Sequence, residues 1–275
     1  MNNEMNYFSM GVWIVGLAYV LAVAAVTMGF ACARRARSAP SRVYRILWLS
    51  IAALCIGGIG IWLSYHIILL GSSIPGSAFR YEPIWVLISF LLPVILVFSA
   101  LTLFADKINY GRIVSASIIM GAAIAGSDHL GMRSLRFQGA FHYNFTFVAI
   151  SGIAAVIICF VALFLSWKST ITAVRFASGL LMGAAMVGAT FVTLLSSHVS
   201  IDLSARLPDG VEAFSFLYPA FVLSLIALGV PISALLSASE DEHSQAVKVS
   251  RSYRDAQNHS QEDWSGDHQK IKLTP

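Results

Sequence analysis

Residues Ile84–Phe104 read IWVLISFLLPVILVFSALTLF. None of them is charged, and a helix of this length rises about 31 Å, enough to cross the roughly 30 Å hydrocarbon core of a bilayer. Six more apolar runs of comparable length flank it: Phe8–Ala31, Val43–Leu70, Ile113–Leu130, Phe145–Trp167, Phe176–Leu195 and Ala213–Leu236. The run Ile113–Leu130 is the most polar, being interrupted by Ser115, Ser117, Ser127 and Asp128. The first run is too long for a signal-peptide core. It is preceded by Glu4 and no basic residue, so it reads as a retained helix. The expected fold is an all-α membrane protein with seven transmembrane helices. Composition agrees: 57% of the 275 residues are hydrophobic, 12% are charged, and mean hydropathy is +0.74. Soluble domains carry about 25% charge, which sets aside an ordinary cytosolic enzyme, a disordered regulator and a nucleic-acid-binding domain.

The scarce charge sets the orientation. Arg34, Arg35, Arg37, Arg42 and Arg45 follow the first run, Lys107 and Arg112 the third, and Lys168 and Arg175 the fifth. The opposite loops hold Arg80, Arg133, Arg136 and Arg206. Basic residues stay on the cytoplasmic side, which places the N-terminus outside and the C-terminus inside. The expected localisation is a cell membrane, multi-pass. Residues 238–275 form a polar tail, expected to be cytoplasmic and disordered. Cys32, Cys55 and Cys159 lie in or beside apolar runs without metal spacing and read as small buried hydrophobes.

The chain also repeats itself. Phe79-Arg80-Tyr81 precedes Ile88-Ser89, Phe141-His142-Tyr143 precedes Ile150-Ser151, and Phe214-Ser215-Phe216 precedes Leu223-Ser224. The Phe-to-Ser distance is the same in all three. The preceding helices carry Gly57-Gly58-Ile59-Gly60, Gly121 to Gly126 and Gly179 to Gly188. Small residues let helix backbones approach closely in lipid. The pattern is one leading helix plus three two-helix repeats.

Four of the histidines, His66, His129, His142 and His198, fall at outer helix ends or in outer loops. His66 and His129 sit at matching places in successive repeats, with Met132 one turn beyond His129. Ionisable groups at membrane depth are functional candidates, and imidazole with thioether suits copper. The blander reading puts these histidines at headgroup level, bonded to water or carbonyls. Asp128 could pair with Arg133 or Arg136, or orient a liganding histidine. No phosphate-binding loop, nucleophile elbow or His-Glu-x-x-His pair occurs, so an enzyme is not expected. The near absence of acidic residues within the spans argues against a proton-driven transporter.

On these residues the chain resembles the MHYT domain of bacterial membrane sensors. Members of that family carry Met-His-Tyr-Thr-Gly-Met near the outer face of each repeat, with Tyr-Asp and Leu-Ser downstream. Tyr81-Glu82 with Ile88-Ser89, and Tyr143-Asn144 with Ile150-Ser151, match the second half. Gly58-Ile59-Gly60-Ile61-Trp62 before His66 is similar to the family's first repeat. The resemblance covers residues 8–236. The signature itself is eroded. Tyr65 and Asp128 stand at the Met positions, and Ala189-Thr190-Phe191-Val192 replaces the third Met-His-Tyr-Thr. The resemblance implies a sensory or signalling module that binds copper, with His66, His129 and Met132 as the surviving metal ligands. It implies output through a separate cytoplasmic or membrane partner, with the lipid bilayer as the other contact and no role for nucleic acid. The alternatives are a homologue that keeps the fold as a structural or partner-binding protein without metal, and a small transporter.

Overall fold

The computed structural model describes residues 11–72, 80–105, 109–143, 145–168, 171–201 and 210–212, with scattered positions between 215 and 233. The chain divides into two compact units, Met1–Gly229 and Val230–Pro275, and almost all described residues lie in the first. Among the described residues, six helices are long and apolar enough to cross a membrane. They are α1 (Trp13–Arg37), α2 (Arg42–Leu70), α3 (Pro83–Ala105), α4 (Tyr110–Ser134), α5 (Phe145–Lys168) and α6 (Thr172–Leu195). The seventh expected run, Ala213–Leu236, lies largely outside the described residues, although 218–222 and 224–226 are helical. The tail from 238 onward, and the start of the first run at Phe8, also lie outside them.

Helix ends follow local chemistry. Ser41 caps α2 by accepting a hydrogen bond from the Tyr44 amide at 3.4 Å, and Asn109 caps α4 through the Arg112 amide at 2.9 Å. Helix α1 runs past the end of its apolar stretch to Arg37. Arg34, Arg35 and Arg37 occupy its last turn, where cations complement the helix dipole.

Helix α1 packs on α2 and α6, α3 on α2 and α4, and α5 on α4 and α6. The glycine stretches make these contacts close. At Gly57 a β-carbon would stand 2.8 Å from the Pro93 backbone, and at Gly179 it would stand 2.4 Å from the Thr27 methyl. Within α2, residues Leu54–Leu63 form a π-helical segment, a widening that commonly marks functional sites.

The expected loops at one end of the bundle contain strands: β1 (Arg80–Tyr81), β2 (Leu135–Arg136), β3 (Gly139–Tyr143), β4 (Ser197–Ile201) and β5 (Val211–Glu212). The fold is therefore not purely helical. β1 is the centre of an antiparallel three-stranded sheet, with Arg80 opposite Arg136 on one side and Glu212 on the other. These strands follow α2, α4 and α6, so each two-helix unit contributes one. Gly210, at φ +148°, opens β5 in a conformation that disfavours a side chain. β3 pairs with β4, and His142 is the register partner of His198.

Candidate functional site

Most of the buried polar groups lie where α2, α3, α4 and α6 approach the strands. The repeat serine of the first unit, Ser89, is fully buried and links three helices. Its hydroxyl donates to the Val86 carbonyl at 2.8 Å and accepts from Trp62 Nε1–H on α2 at 3.0 Å. Its carbonyl accepts from the Ser127 hydroxyl on α4 at 3.2 Å. The reason lies four residues on. Pro93 has no N–H, so the Ser89 carbonyl lacks its helical partner, and a neighbouring helix supplies one. The other repeat serines also turn back on their own helices, Ser151 to Val148 at 3.1 Å and Ser224 to Ala220 at 2.7 Å. This common role gives the repeated spacing a physical meaning.

His66 lies on α2 just beyond the π segment and has no exposed surface. Its Nδ1 is 2.8 Å from the Trp62 carbonyl. A carbonyl can only accept, so Nδ1 carries the proton, and in the neutral ring Nε2 presents a lone pair. Nε2 is buried and has no hydrogen-bond partner among the described residues. Three aromatic rings surround the imidazole: Trp62 at 4.4 Å between centroids, Tyr65 at 5.0 Å and Tyr81 at 6.0 Å. Tyr81 lies on β1, outside the helices, and burial raises the pKa of its phenol. A histidine whose Nδ1–H is fixed by a carbonyl and whose Nε2 is bare is in the usual ligand state.

Tyr65 brings α4 to this place. A β-carbon at Gly131 would lie 2.3 Å from the Tyr65 ring, so only glycine lets the helices meet there. The next residue, Met132, is fully buried in the same apolar cluster as Trp62, Tyr65 and Tyr81. His129 is half-buried one turn earlier on α4. The structure thus sets His66 and Met132 in one packed region, with His129 near the end of the facing helix. Among the described residues no three His, Cys, Asp or Glu side chains form a group that could hold a metal ion. The donor chemistry present is two imidazoles and a thioether, which suits copper.

Asp128 does not pair with either arginine. The guanidinium of Arg133 lies over the Trp85 ring, 5.0 Å from its centroid, and Arg136 pairs with Glu82 through Nε–H at 2.9 Å. Asp128 is instead buried and accepts from the Thr190 hydroxyl on α6 at 3.2 Å. Thr190 was visible in sequence only as a replacement for the third repeat's histidine. Its position in the repeat was the available signal, because neighbouring signature positions of the second and third repeats meet here.

Residues 121–184 match the MHYT family, described as a bacterial signalling protein N-terminal repeat. The match spans the second repeat, including Asp128, His129 and Met132. The chain is also similar to the bifunctional diguanylate cyclase/cyclic di-GMP phosphodiesterase MucR of Pseudomonas aeruginosa. Identity is 25% over 252 residues, covering 88% of this chain and 36% of that protein. The chain thus spans little more than a third of this relative's length. No solved structure matches it.

Proposed function

The chain carries an MHYT repeat at residues 121–184 of a multi-pass membrane bundle, and on that premise we propose that it is the sensory part of a membrane signalling system. It binds copper or a small ligand near the outer face and biases a separate partner on the inner side. The observation that carries this reading is His66: a buried imidazole at the repeat position, held through Nδ1 by the Trp62 carbonyl, with no hydrogen-bond partner for Nε2 among the described residues. His66 would hold copper through Nε2, with His129 and Met132 as further ligands from α4. A bound copper ion supplies redox and gas-binding chemistry. The chain's own residues fix the tautomer through the Trp62 carbonyl and exclude water with Trp62, Tyr65 and Tyr81.

The orientation in this reading follows the arginines, with the turn between α1 and α2 inside and the strands outside. The membrane is then a bacterial plasma membrane. The seventh span is Ala213–Leu236, and the polar residues 238–275 are the cytoplasmic tail. The relative's name supports signalling, and its catalytic activities are not carried over. A second reading, a fold-retaining partner-binding protein without metal, is favoured by Asp128. This residue stands at a ligand position of the repeat and is already bonded to Thr190.

Metal content of the detergent-purified protein separates the two. Copper bound near one equivalent in the wild type and lost in His66→Ala/His129→Ala supports the sensor. Equal metal in both proteins removes the copper claim.

A further inference from the structure

The end of the bundle opposite the strands holds a site of different chemistry. A cavity of about 720 Å³ lies at the turn between α1 and α2, against α3. Arg37, Ser41, Arg42, Arg45, Phe98 and Thr102 line it, and no carboxylate lines it among the described residues. Arg42 is exposed and Arg45 half-buried. The cavity also opens on the N-terminus of α2, where backbone N–H groups favour an anion.

A second cavity of about 340 Å³ continues along the same groove. It shares Phe98 and is otherwise walled by Ala53, Leu54, Val94, Ile95 and Ser50. On α2 the lining residues step from Arg42 and Arg45 to Ser50 and Ala53 at spacings that keep one helix face. On α3 they step from Thr102 and Phe98 to Val94. Charge lies at the end of the groove and apolar walls lie deeper. This is the polarity of a phospholipid standing in its leaflet.

We propose that this groove binds an anionic phospholipid, with the phosphate on Arg37, Arg42 and Arg45 and an acyl chain between α2 and α3. The inference depends on the orientation proposed above only for which leaflet supplies the lipid. Bound there, the lipid contacts both the leading helix and the first two-helix unit, because α1, α2 and α3 all meet at the cavity. It thus tells the protein about the charge of the leaflet.

The test uses the full chain, stripped of lipid in a non-ionic detergent. Phosphatidylglycerol or phosphatidylethanolamine of the same acyl composition is added, and retention is read by native mass spectrometry. A cation near an anionic lipid surface contributes roughly fivefold. Retention of the anionic lipid is therefore expected to exceed that of the zwitterionic one by about tenfold or more. Arg37→Gln/Arg42→Gln/Arg45→Gln should remove that preference. Ile95→Trp, on the exposed side of the apolar groove, should weaken lipid retention while leaving the arginines in place. Equal retention of the two lipids overturns the proposal. So does displacement of the anionic lipid by millimolar inorganic phosphate with no effect of Ile95→Trp, which marks a site for soluble phosphate esters. If the arginine variant does not fold, the wild-type preference and Ile95→Trp still decide. The detergent assay has no sidedness, so an error in orientation leaves its result unchanged and is detected separately with reporter fusions to the α1–α2 turn.

Discussion

The substitution Gly57→Ala adds one methyl group where α2 meets the proline of α3. The new carbon would stand 2.8 Å from the Pro93 carbonyl carbon and oxygen and from the Val94 amide nitrogen. Carbon contacts settle at about 3.5–4.0 Å, so the helices must part by roughly 1 Å. All three atoms are backbone, so no rotamer change relieves the contact. Overpacking of this kind costs about 1–3 kcal/mol. In a bundle of this size that lowers the midpoint of thermal unfolding by about 2–12 °C. Alanine's better helix propensity returns up to about 1 kcal/mol, so the lower half of the range is expected. Gly188→Ala supplies the control. A β-carbon there meets nothing within 4 Å, so only the propensity gain remains and the midpoint holds or rises. Both proteins are purified in the same detergent and melted with circular dichroism as the readout. Equal midpoints for the two variants would refute the close approach of α2 to α3.

Ser127→Ala should destabilise by about 1 kcal/mol, because the Ser89 carbonyl beneath Pro93 loses its donor. Adding Pro93→Ala restores a main-chain N–H to that carbonyl, so the double variant should melt above Ser127→Ala alone. Thr190→Val should cost about 1–3 kcal/mol by removing the donor to the buried Asp128 carboxyl. Thr190→Ser keeps the hydroxyl and should stay close to wild type in the same thermal assay.

Much of this architecture was legible in the sequence because lipid imposes one rule, that a long uncharged stretch must form a helix. Six of the seven expected runs are helices, with ends shifted mainly where arginines or caps extend them. Trp13–Arg37 overruns its expected end at Ala31, since hydropathy stops at the first arginine and helix hydrogen bonding does not. The strands of the three-stranded sheet left no signal because Arg80–Tyr81, Leu135–Arg136 and Val211–Glu212 are too short for an alternating pattern. Their pairing depends on three distant loops arriving together.

His66 and His129 lie near helix ends, as expected from the sequence. For Asp128 the sequence left two roles open, pairing with Arg133 or Arg136 and orienting a histidine. Its partner, Thr190, is 62 residues away on another helix. The π segment left no signal, for Leu54–Leu63 is as apolar as any helix around it. The tautomer of His66 also needed the structure, because it depends on a main-chain carbonyl.

The small sheet of β1, β2 and β5 gives the bundle a fulcrum. It ties the loops after α2, α4 and α6 together by main-chain hydrogen bonds at one end. The helices are then levers hinged on that side. A 25-residue helix such as α4 is about 37 Å long. A tilt of about 5° at the hinge moves its far end by roughly 3 Å. On the proposed sensory reading, a ligand that wedged the helices apart beside His66 would act on the short arm, and the displacement would emerge at the arginine-lined end.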